Sequence, residues 1–581
     1  MSEAVPSVLT SRFAKLNPFS KSKGDDENLG DVIDVHTVAG GGHAARRTAI
    51  TKDQLRVSKA LKAFLVEKHV LSAEEADVTS DKQTVALREL LDKSHVEVPR
   101  GITDRSYPLP EYFISSSHNT YLLAHQLYGS ASATAYETAL SNGARCVEID
   151  AWDNEEDLDE PKVTHGYTLA SNIPFRQVCE AIRDVVDEEA AQHAAPIMLS
   201  LENHCGAHGQ LRLATIMREV WGDRLLSKPI RDAGTREQQG TGEHITLSQL
   251  SNKVAVIVEY HFGEEDPDQS SSSSEDETPD DEASNFDRRA YRERKQRAAD
   301  AGIIPELAEL GVYAQSVKPQ DNSWFESSKL KDGPHHHLIN VSESGLASLM
   351  PAHSAQIAKH NSQHLMRVYP KGTRINSGNL NPVTAWGVGA QIAALNWQTF
   401  DASMQLNEAL FAGTDGYVLK PAALRTGGSG HLSTGRRKRL RLHVGGATAI
   451  PIPEGHEGVD IRPYLTCTLI HPHDLEAKPT KRKTAAYHHH KLGIVHKGLN
   501  NPPNTDPIWD EVLEWQYEDN ELVFLRLIVK SDDKFARNPM FAVAAVRLMY
   551  VAEGWVFIRM LDLKGRETHC TVLVRFEVIA T

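Results

Sequence analysis

From Thr51 onward apolar residues recur at helical spacing, at Leu55, Val57, Leu61, Phe64 and Leu65 and again at Val85, Leu87, Leu90 and Leu91. This predicts packed helices over 51–93. No Asp-x-Asp-x-Asp-Gly pattern accompanies them, so no calcium loop is expected there. Residues 1–50 have little periodicity and much Gly, Ser, Lys and Asp, including Gly40-Gly41-Gly42, and read as a disordered, passive tail.

Between Tyr112 and Pro421 short apolar runs alternate with helical segments, the pattern of an α/β fold with a parallel sheet. Eight candidate strands stand out, at 113–116, 146–151, 197–201, 254–260, 311–316, 338–341, 365–369 and 391–396. Eight fits a TIM-like (β/α)8 barrel. Helices are predicted over 175–190 and 211–221, where apolar residues fall at three- and four-residue intervals.

The alternation is interrupted by Glu264-Glu265-Asp266, serines at 270–274, Glu275-Asp276-Glu277 and Asp280-Asp281-Glu282, followed by a basic stretch at 288–297. A Ser-rich acidic run cannot bury enough apolar surface to order itself, so 263–300 reads as a linker splitting the barrel. It is either a solvated loop or an electrostatic gate that anionic membranes repel.

After a Gly-rich linker at 426–430 the texture becomes all-β. Short alternating runs at 440–444, 464–470, 523–529, 541–548 and 572–578, separated by turn residues, predict a β-sandwich over 436–581. Arg436-Arg437-Lys438-Arg439 at its start is a solvated face or a contact for acidic lipid.

Composition narrows the function classes. The chain has 581 residues, a formal charge of −15 and 40% hydrophobic residues, enough for about three or four units at roughly 150 residues each. The acidic balance argues against nucleic acid as the main partner, because phosphate backbones select basic surfaces. No apolar run approaches the ~18 residues of a membrane span and no signal-peptide succession opens the chain, so a soluble, cytoplasmic protein is expected. The five cysteines (Cys146, Cys179, Cys205, Cys467 and Cys570) form neither a disulfide framework nor a zinc site. The histidine triplets at 335–337 and 488–490 could bind metal adventitiously, with no role in the chemistry.

Polar groups gather near the C-terminal ends of the first barrel segments. His118 and Asn119 follow the first run, Glu148 and Asp150 lie in the second, His165 lies beyond it and Glu202 ends the third. Residues two apart in a strand share a face, so Glu148 and Asp150 point together into the barrel mouth. Three carboxylates and an amide oxygen repel one another unless a hard cation lies between them, and flexible all-oxygen ligation suits Ca²⁺. The two histidines could then serve acid and base steps.

Four segments, Ser-Ser-His-Asn-Thr-Tyr121, Gly143-Ala-Arg-Cys-Val-Glu-Ile-Asp-Ala-Trp-Asp153, His165-Gly-Tyr-Thr-Leu169 and Leu199-Ser-Leu-Glu-Asn-His-Cys205, resemble the first catalytic half of eukaryotic phosphoinositide-specific phospholipase C. Pro305-Glu-Leu-Ala-Glu-Leu310, His360-Asn-Ser-Gln-His-Leu-Met-Arg-Val-Tyr-Pro370 and Asp415-Gly-Tyr-Val-Leu-Lys-Pro421 resemble its second half. The resemblance spans about 105–422, is delta-like without an evident pleckstrin-homology module, and implies an EF-hand-like remnant over 51–100. It further implies barrel halves over 105–262 and 301–422 and a C2-type sandwich after them.

The resemblance also implies roles. Asn119, Glu148, Asp150 and Glu202 match Ca²⁺ ligands, His118 matches the histidine that stabilises the phosphorane-like transition state, and His165 matches the general acid. Glu148 or Glu202 would be the base for attack by the inositol 2-hydroxyl, giving a cyclic inositol phosphate that water then opens. Ser342, Arg367 and Tyr369 match positions that grip the head group. The implied partners are phosphoinositide lipids at a membrane surface, reached by peripheral association. The family strand after the Glu-Asn-His segment ends in lysines that bind ring phosphates, whereas Ile257 and Glu259 stand about there in this chain. Each missing charge-assisted bond costs roughly 1.5 to 3 kcal/mol, about 10- to 100-fold in affinity, which points to a less phosphorylated substrate. In the sandwich only Asp460, Asp510, Asp532 and Asp533 lie near the expected calcium loops, with Lys530 and Pro539 intruding. The rival readings are a catalytically weak, phospholipase-like scaffold and a glycerophosphodiesterase with a soluble substrate.

Overall fold

The computed structural model describes residues 26–28 and 50–581, apart from 124–130, 165–171, 191–194, 231–243, 261–301, 320, 327–329, 331–335, 373, 375–376, 453–460, 474–478, 490–500 and 533–539. The acidic insertion therefore lies outside the described residues. The first unit holds β1 (Tyr112–Ser117), β2 (Cys146–Trp152), the two-residue strands β3 (Lys162–Val163) and β4 (Ile173–Pro174), β5 (Ile197–His204), β6 (Val254–Tyr260), β7 (Gln315–Val317), β8 (His337–Ser342), β9 (Leu365–Tyr369), β10 (Ile392–Leu395) and β11 (Tyr417–Leu419).

Eight of these run parallel in the order β1-β2-β5-β6-β7-β8-β9-β10, and β1 pairs with both β2 and β10, which closes the barrel. The helix Phe175–Ala190 coincides with the prediction, because Phe175, Val178, Ile182 and Val186 at three- and four-residue spacing are buried. The predicted helix over 211–221 begins earlier, at Ala207. The strand expected over 311–316 pairs only at Gln315–Val317. Its leading residues are buried, and Gly311 packs closely on β6, where a Cβ would sit 2.2 Å from Val258 Cγ2.

Strand alternation sorts the barrel into two faces. Val147, Leu199, Val256, Ile339 and Val368 join the cluster that includes the surrounding helices. Ile114, Cys146, Met198, Ala255, Ile257, Leu338, Leu365 and Ile392 form a separate inner cluster. Two or four residues further along the same inner faces stand Glu148, Asp150, Glu202, Asn340, Ser342, Arg367 and Tyr369, so the barrel is apolar at its base and polar at its mouth.

The second unit holds β12 (Arg437–Thr448), β13 (Pro463–Ile470), β14 (Thr480–Lys483), β15 (Ile508–Glu518), β16 (Phe524–Ser531), β17 (Met540–Arg547), β18 (Gly554–Leu561) and β19 (Glu567–Ala580). All its pairs are antiparallel. The halves β14-β13-β16-β17 and β18-β19-β12-β15 meet through one pair, Val543 with Leu561, and enclose a common apolar core. This is the C2-like sandwich expected.

The N-terminal helices Lys59–Glu67 and Val85–Asp92 pack on the sandwich through Leu61, Phe64, Leu65 and Leu91 against Trp555, Phe557 and Leu573. Gly445 makes the contact possible, since a Cβ there would meet Phe64 Cε1 at 2.8 Å. Lys62 is only 1% exposed. Its ammonium donates to the backbone oxygens of Asp77 (3.3 Å), Ser80 (2.9 Å) and Lys82 (2.8 Å), so the protein's own cation organises this inter-helix loop. All five cysteines are free and buried. Among the described residues no helix is long and apolar enough to cross a membrane.

Candidate active site

The mouth of the barrel gathers most of the side chains singled out above. β1 delivers His118, whose backbone N–H donates to Leu395 O on β10 at 2.8 Å. Asn119 follows with φ of 45°, a left-handed backbone that Asn tolerates better than most residues. The turn brings its N–H to 2.7 Å from Glu148 Oε2.

On β2, Glu148 is 1% exposed and pairs with the Arg367 guanidinium of β9. Arg367, itself 2% exposed, also donates to Asn340 Oδ1 on β8 at 3.0 Å and lies 3.8 Å from Glu202 Oε1. Burial opposes charge on Glu148, but Arg367 and the Asn119 N–H outweigh it and hold its carboxyl below the usual range. Asp150 has the opposite balance. Burial and the Glu148 charge push it up, against a 2.5 Å hydrogen bond that its Oδ2 accepts from Tyr121. Glu202, at the end of β5, is also pushed up by desolvation and by the charges of Glu148 and Asp150, although its side chain is 41% exposed.

Glu148, Asp150 and Glu202 bring ligand oxygens within 4.8 Å of one another. One guanidinium does not balance three carboxylates, and Asp150 Oδ1 is buried without a hydrogen-bond partner among the described residues. An all-oxygen, net-negative set with an orphaned acceptor is the chemistry that fits a hard cation. The acidic cluster could therefore bind a metal.

Sequence reasoning missed the residues that hold this site. Asn396 Nδ2 donates to Gly378 O at 3.2 Å, which turns its Oδ1 toward His118 Nδ1 at 2.9 Å. His118 therefore donates from Nδ1. Burial lowers its pKa, and Arg367 adds to the effect against the pull of Glu148. Asn340 and Tyr121 position Arg367 and Asp150 in the same indirect way. The one available signal was place: Asn396 and Asn340 sit on or just beyond strands already identified.

The other expected residues are distributed as follows. Ser342 ends β8 and caps the helix Glu343–Leu349, accepting from Gly345 N at 3.0 Å. Tyr369 ends β9 with the Arg367 guanidinium 5.6 Å from its ring centroid. His165 lies outside the described residues. Ile257 is buried in the inner cluster and Glu259 is exposed at the end of β6. In the sandwich, Asp510 lies within β15 rather than in a loop and accepts from Lys68 and His443, each at 2.9 Å. Asp460, Asp533 and Pro539 are outside the described residues. Of the basic run, Lys438 and Arg436 pair with Asp519 at 2.8 and 3.4 Å. His337 lies at the opposite end of the barrel from the acids, its Nε2 2.8 Å from His360 Nε2 and its ring stacked on His364. His335 and His490 are outside the described residues.

Residues 105–260 match the phosphatidylinositol-specific phospholipase C X domain and residues 307–423 match its Y domain. The chain belongs to the phosphatidylinositol-specific phospholipase C family. It is 30% identical over 478 residues to the human 1-phosphatidylinositol 4,5-bisphosphate phosphodiesterase delta-1, covering 80% of this chain and 59% of that protein. It is likewise 30% identical over 501 residues to a Dictyostelium discoideum 1-phosphatidylinositol 4,5-bisphosphate phosphodiesterase, covering 80% and 57%. The chain thus spans somewhat under two thirds of the length of these relatives. The crystal structure of S. officinalis PLC21 superposes with a TM-score of 0.67 at 23% identity, covering 99% of this chain and 69% of that one, and shows the shared fold.

Proposed function

We propose that the chain is a Ca²⁺-dependent phosphodiesterase that cleaves phosphoinositides at a membrane surface to diacylglycerol and inositol phosphates. The observation that carries this is the convergence of Glu148, Asp150 and Glu202 within 4.8 Å, with His118 and Arg367 beside them on neighbouring strands. Asn119, Glu148, Asp150 and Glu202 would hold Ca²⁺. When bound, the ion would lower the pKa of the inositol 2-hydroxyl and offset charge on the phosphate.

The chain's own residues supply the rest. Asn396 fixes the Nδ1–H of His118, so Nε2 is the nitrogen that takes up a proton and donates to the phosphoryl oxygen as charge develops there. Glu202, half in solvent at the mouth, suits removal of the 2-hydroxyl proton better than Glu148, which is 1% exposed and already accepts from Arg367 and Asn119. His165 would protonate the diacylglycerol oxygen as the bond to phosphorus breaks, and the two histidines would exchange duties when water opens the cyclic phosphate. Ser342 and Tyr369 stand at the strand ends where the inositol ring would lie. Arg367 would contact a substrate phosphate only by sharing its guanidinium with Glu148.

The substrate carries fewer ring phosphates than the bisphosphate named for the relatives. Ile257 and Glu259 support this: neither offers the positive charge that would hold a ring phosphate. Cytoplasmic residence with peripheral membrane association completes the proposal. Turnover of phosphatidylinositol and its mono- and bisphosphates in vesicles, with Ca²⁺ buffered, tests it. No cleavage of any at any Ca²⁺ level replaces the enzyme with a scaffold.

A further inference from the structure

One face of the sandwich carries a concentration of positive charge that the chemistry above does not use. On β14, Lys481 and Lys483 are two residues apart and share a face. Across the ladder, Lys481 and Arg526 both pair with Thr468, and Lys530 pairs with Tyr464. The alternation therefore places Lys481, Lys483, Arg526 and Lys530 on the same side of β14-β13-β16. This side is turned away from the sandwich core, since Leu525, Leu527 and Val529 fill that core and Ile528 belongs to the cluster of the barrel.

Lys530 is not a solvated surface lysine. Its side chain is 2% exposed, and Arg526 is 3% exposed. Such groups need an anion beside them. A short turn near the N-terminus, Asp26–Asn28, supplies it. The Glu27 carboxylate takes Lys530 on one oxygen and Lys481 on the other, the second at 2.5 Å. Arg526 donates to Glu27 O at 2.5 Å, to Asn28 Oδ1 at 3.2 Å and to Gln405 Oε1, on the barrel helix Ala402–Phe411, at 2.6 Å. Glu27 lies almost five hundred positions away in the chain and meets this surface through a three-residue turn.

We infer that Lys481, Arg526 and Lys530 form an anion site for a phosphate-bearing ligand, and that Glu27 occupies it as an intramolecular substitute. A carboxylate bridging two ammonium groups presents two acceptor oxygens, as two oxygens of a phosphate would, and a phosphate brings more charge. The site is separate from the acidic barrel mouth, whose polarity is opposite. The ligand is either a soluble phosphate anion or a phosphorylated lipid head group.

Titration calorimetry of the full chain distinguishes these cases, with inorganic pyrophosphate as the soluble probe and phosphatidylcholine vesicles containing phosphatidylinositol 4-phosphate as the lipid probe. Both are run in Ca²⁺-free buffer with chelator. Glu27→Gln should tighten binding of one probe at least tenfold over the parent, and adding Lys481→Ala should remove the gain. A gain with pyrophosphate assigns a soluble anion, and a gain with vesicles alone assigns the head group. Equal binding by parent and Glu27→Gln for both probes, or a gain that survives Lys481→Ala, overturns the site. The unaltered chain offers an independent measurement should the variant not fold. A Glu-specific protease should cut after Glu27 slowly, and at least fivefold faster with the winning probe at saturation; an unchanged rate contradicts the inference.

Discussion

Asn396 holds His118: its Oδ1 lies 2.9 Å from the imidazole Nδ1, while its own Nδ2 is anchored to Gly378 O at 3.2 Å. The amide thereby selects which ring nitrogen faces a substrate. Asn396→Ala should lower turnover of phosphatidylinositol vesicles about 10- to 100-fold, mostly in kcat, and move the acidic limb of its pH profile. His118→Ala should cost at least ~100-fold, as loss of a general acid–base group does. An Asn396→Ala enzyme with the parent's pH profile would remove the positioning role.

Arg367 carries a second expectation. It is buried against Glu148 and also held by Asn340, so Arg367→Met leaves a carboxylate of 1% exposure without its cation. Breaking one side of a buried pair costs about 3 to 5 kcal/mol. Urea denaturation in chelator should show a loss of that order, and added Ca²⁺ should recover part of it. Arg367→Lys should recover little, because an ammonium does not reproduce the fork that meets Glu148 and Asn340 together.

Much of this site was legible because its parts are titratable and lie at strand ends, where His118, Glu148, Asp150 and Glu202 announce themselves. Their supports are neutral, and Asn396, Asn340 and Tyr121 show a role only when the barrel closes. In the sandwich, β15 alternates buried Trp509, Leu513, Trp515 and Tyr517 with outward acids, and those acids invited a loop reading of Asp510. β18 hides differently: Trp555, Val556, Phe557 and Ile558 are buried in succession because N-terminal helices cover its second face. Apolar burial also misled at 311–314, where the chain packs before it pairs.

Lys62 illustrates what pattern alone conceals, since its partners are backbone carbonyls from another loop. Lys62→Met should destabilise the chain by about 1 to 3 kcal/mol, the cost of leaving buried acceptors unsatisfied. Thermal unfolding with and without Ca²⁺ checks it. A restored Tm on adding Ca²⁺ specifically to this variant would show that the loop accepts the metal in place of the ammonium.

At the base of the barrel, burial and the neighbouring His337 hold the pKa of His360 down to about 3, with Asn361 opposing and Lys420 assisting. The unfolded chain takes a proton near pH 6.5, so it binds more protons than the folded chain between those values. This contribution to stability is present above pH 6.5 and is lost as pH falls. Between pH 7 and 5 it amounts to about 2 kcal/mol. Urea denaturation should show a flatter pH dependence in His360→Gln by that amount; an unchanged slope would contradict a neutral His360.

The most direct measurement is initial-rate cleavage of phosphatidylinositol, its 4-phosphate and its 4,5-bisphosphate in matched vesicles across buffered Ca²⁺, for the parent and for Asp150→Asn. The parent should be active only with Ca²⁺ and should favour a lipid with fewer ring phosphates, while Asp150→Asn should need at least tenfold more Ca²⁺. Cleavage undiminished by chelation, or an Asp150→Asn enzyme with the parent's Ca²⁺ requirement, would contradict a metal held by Glu148, Asp150 and Glu202.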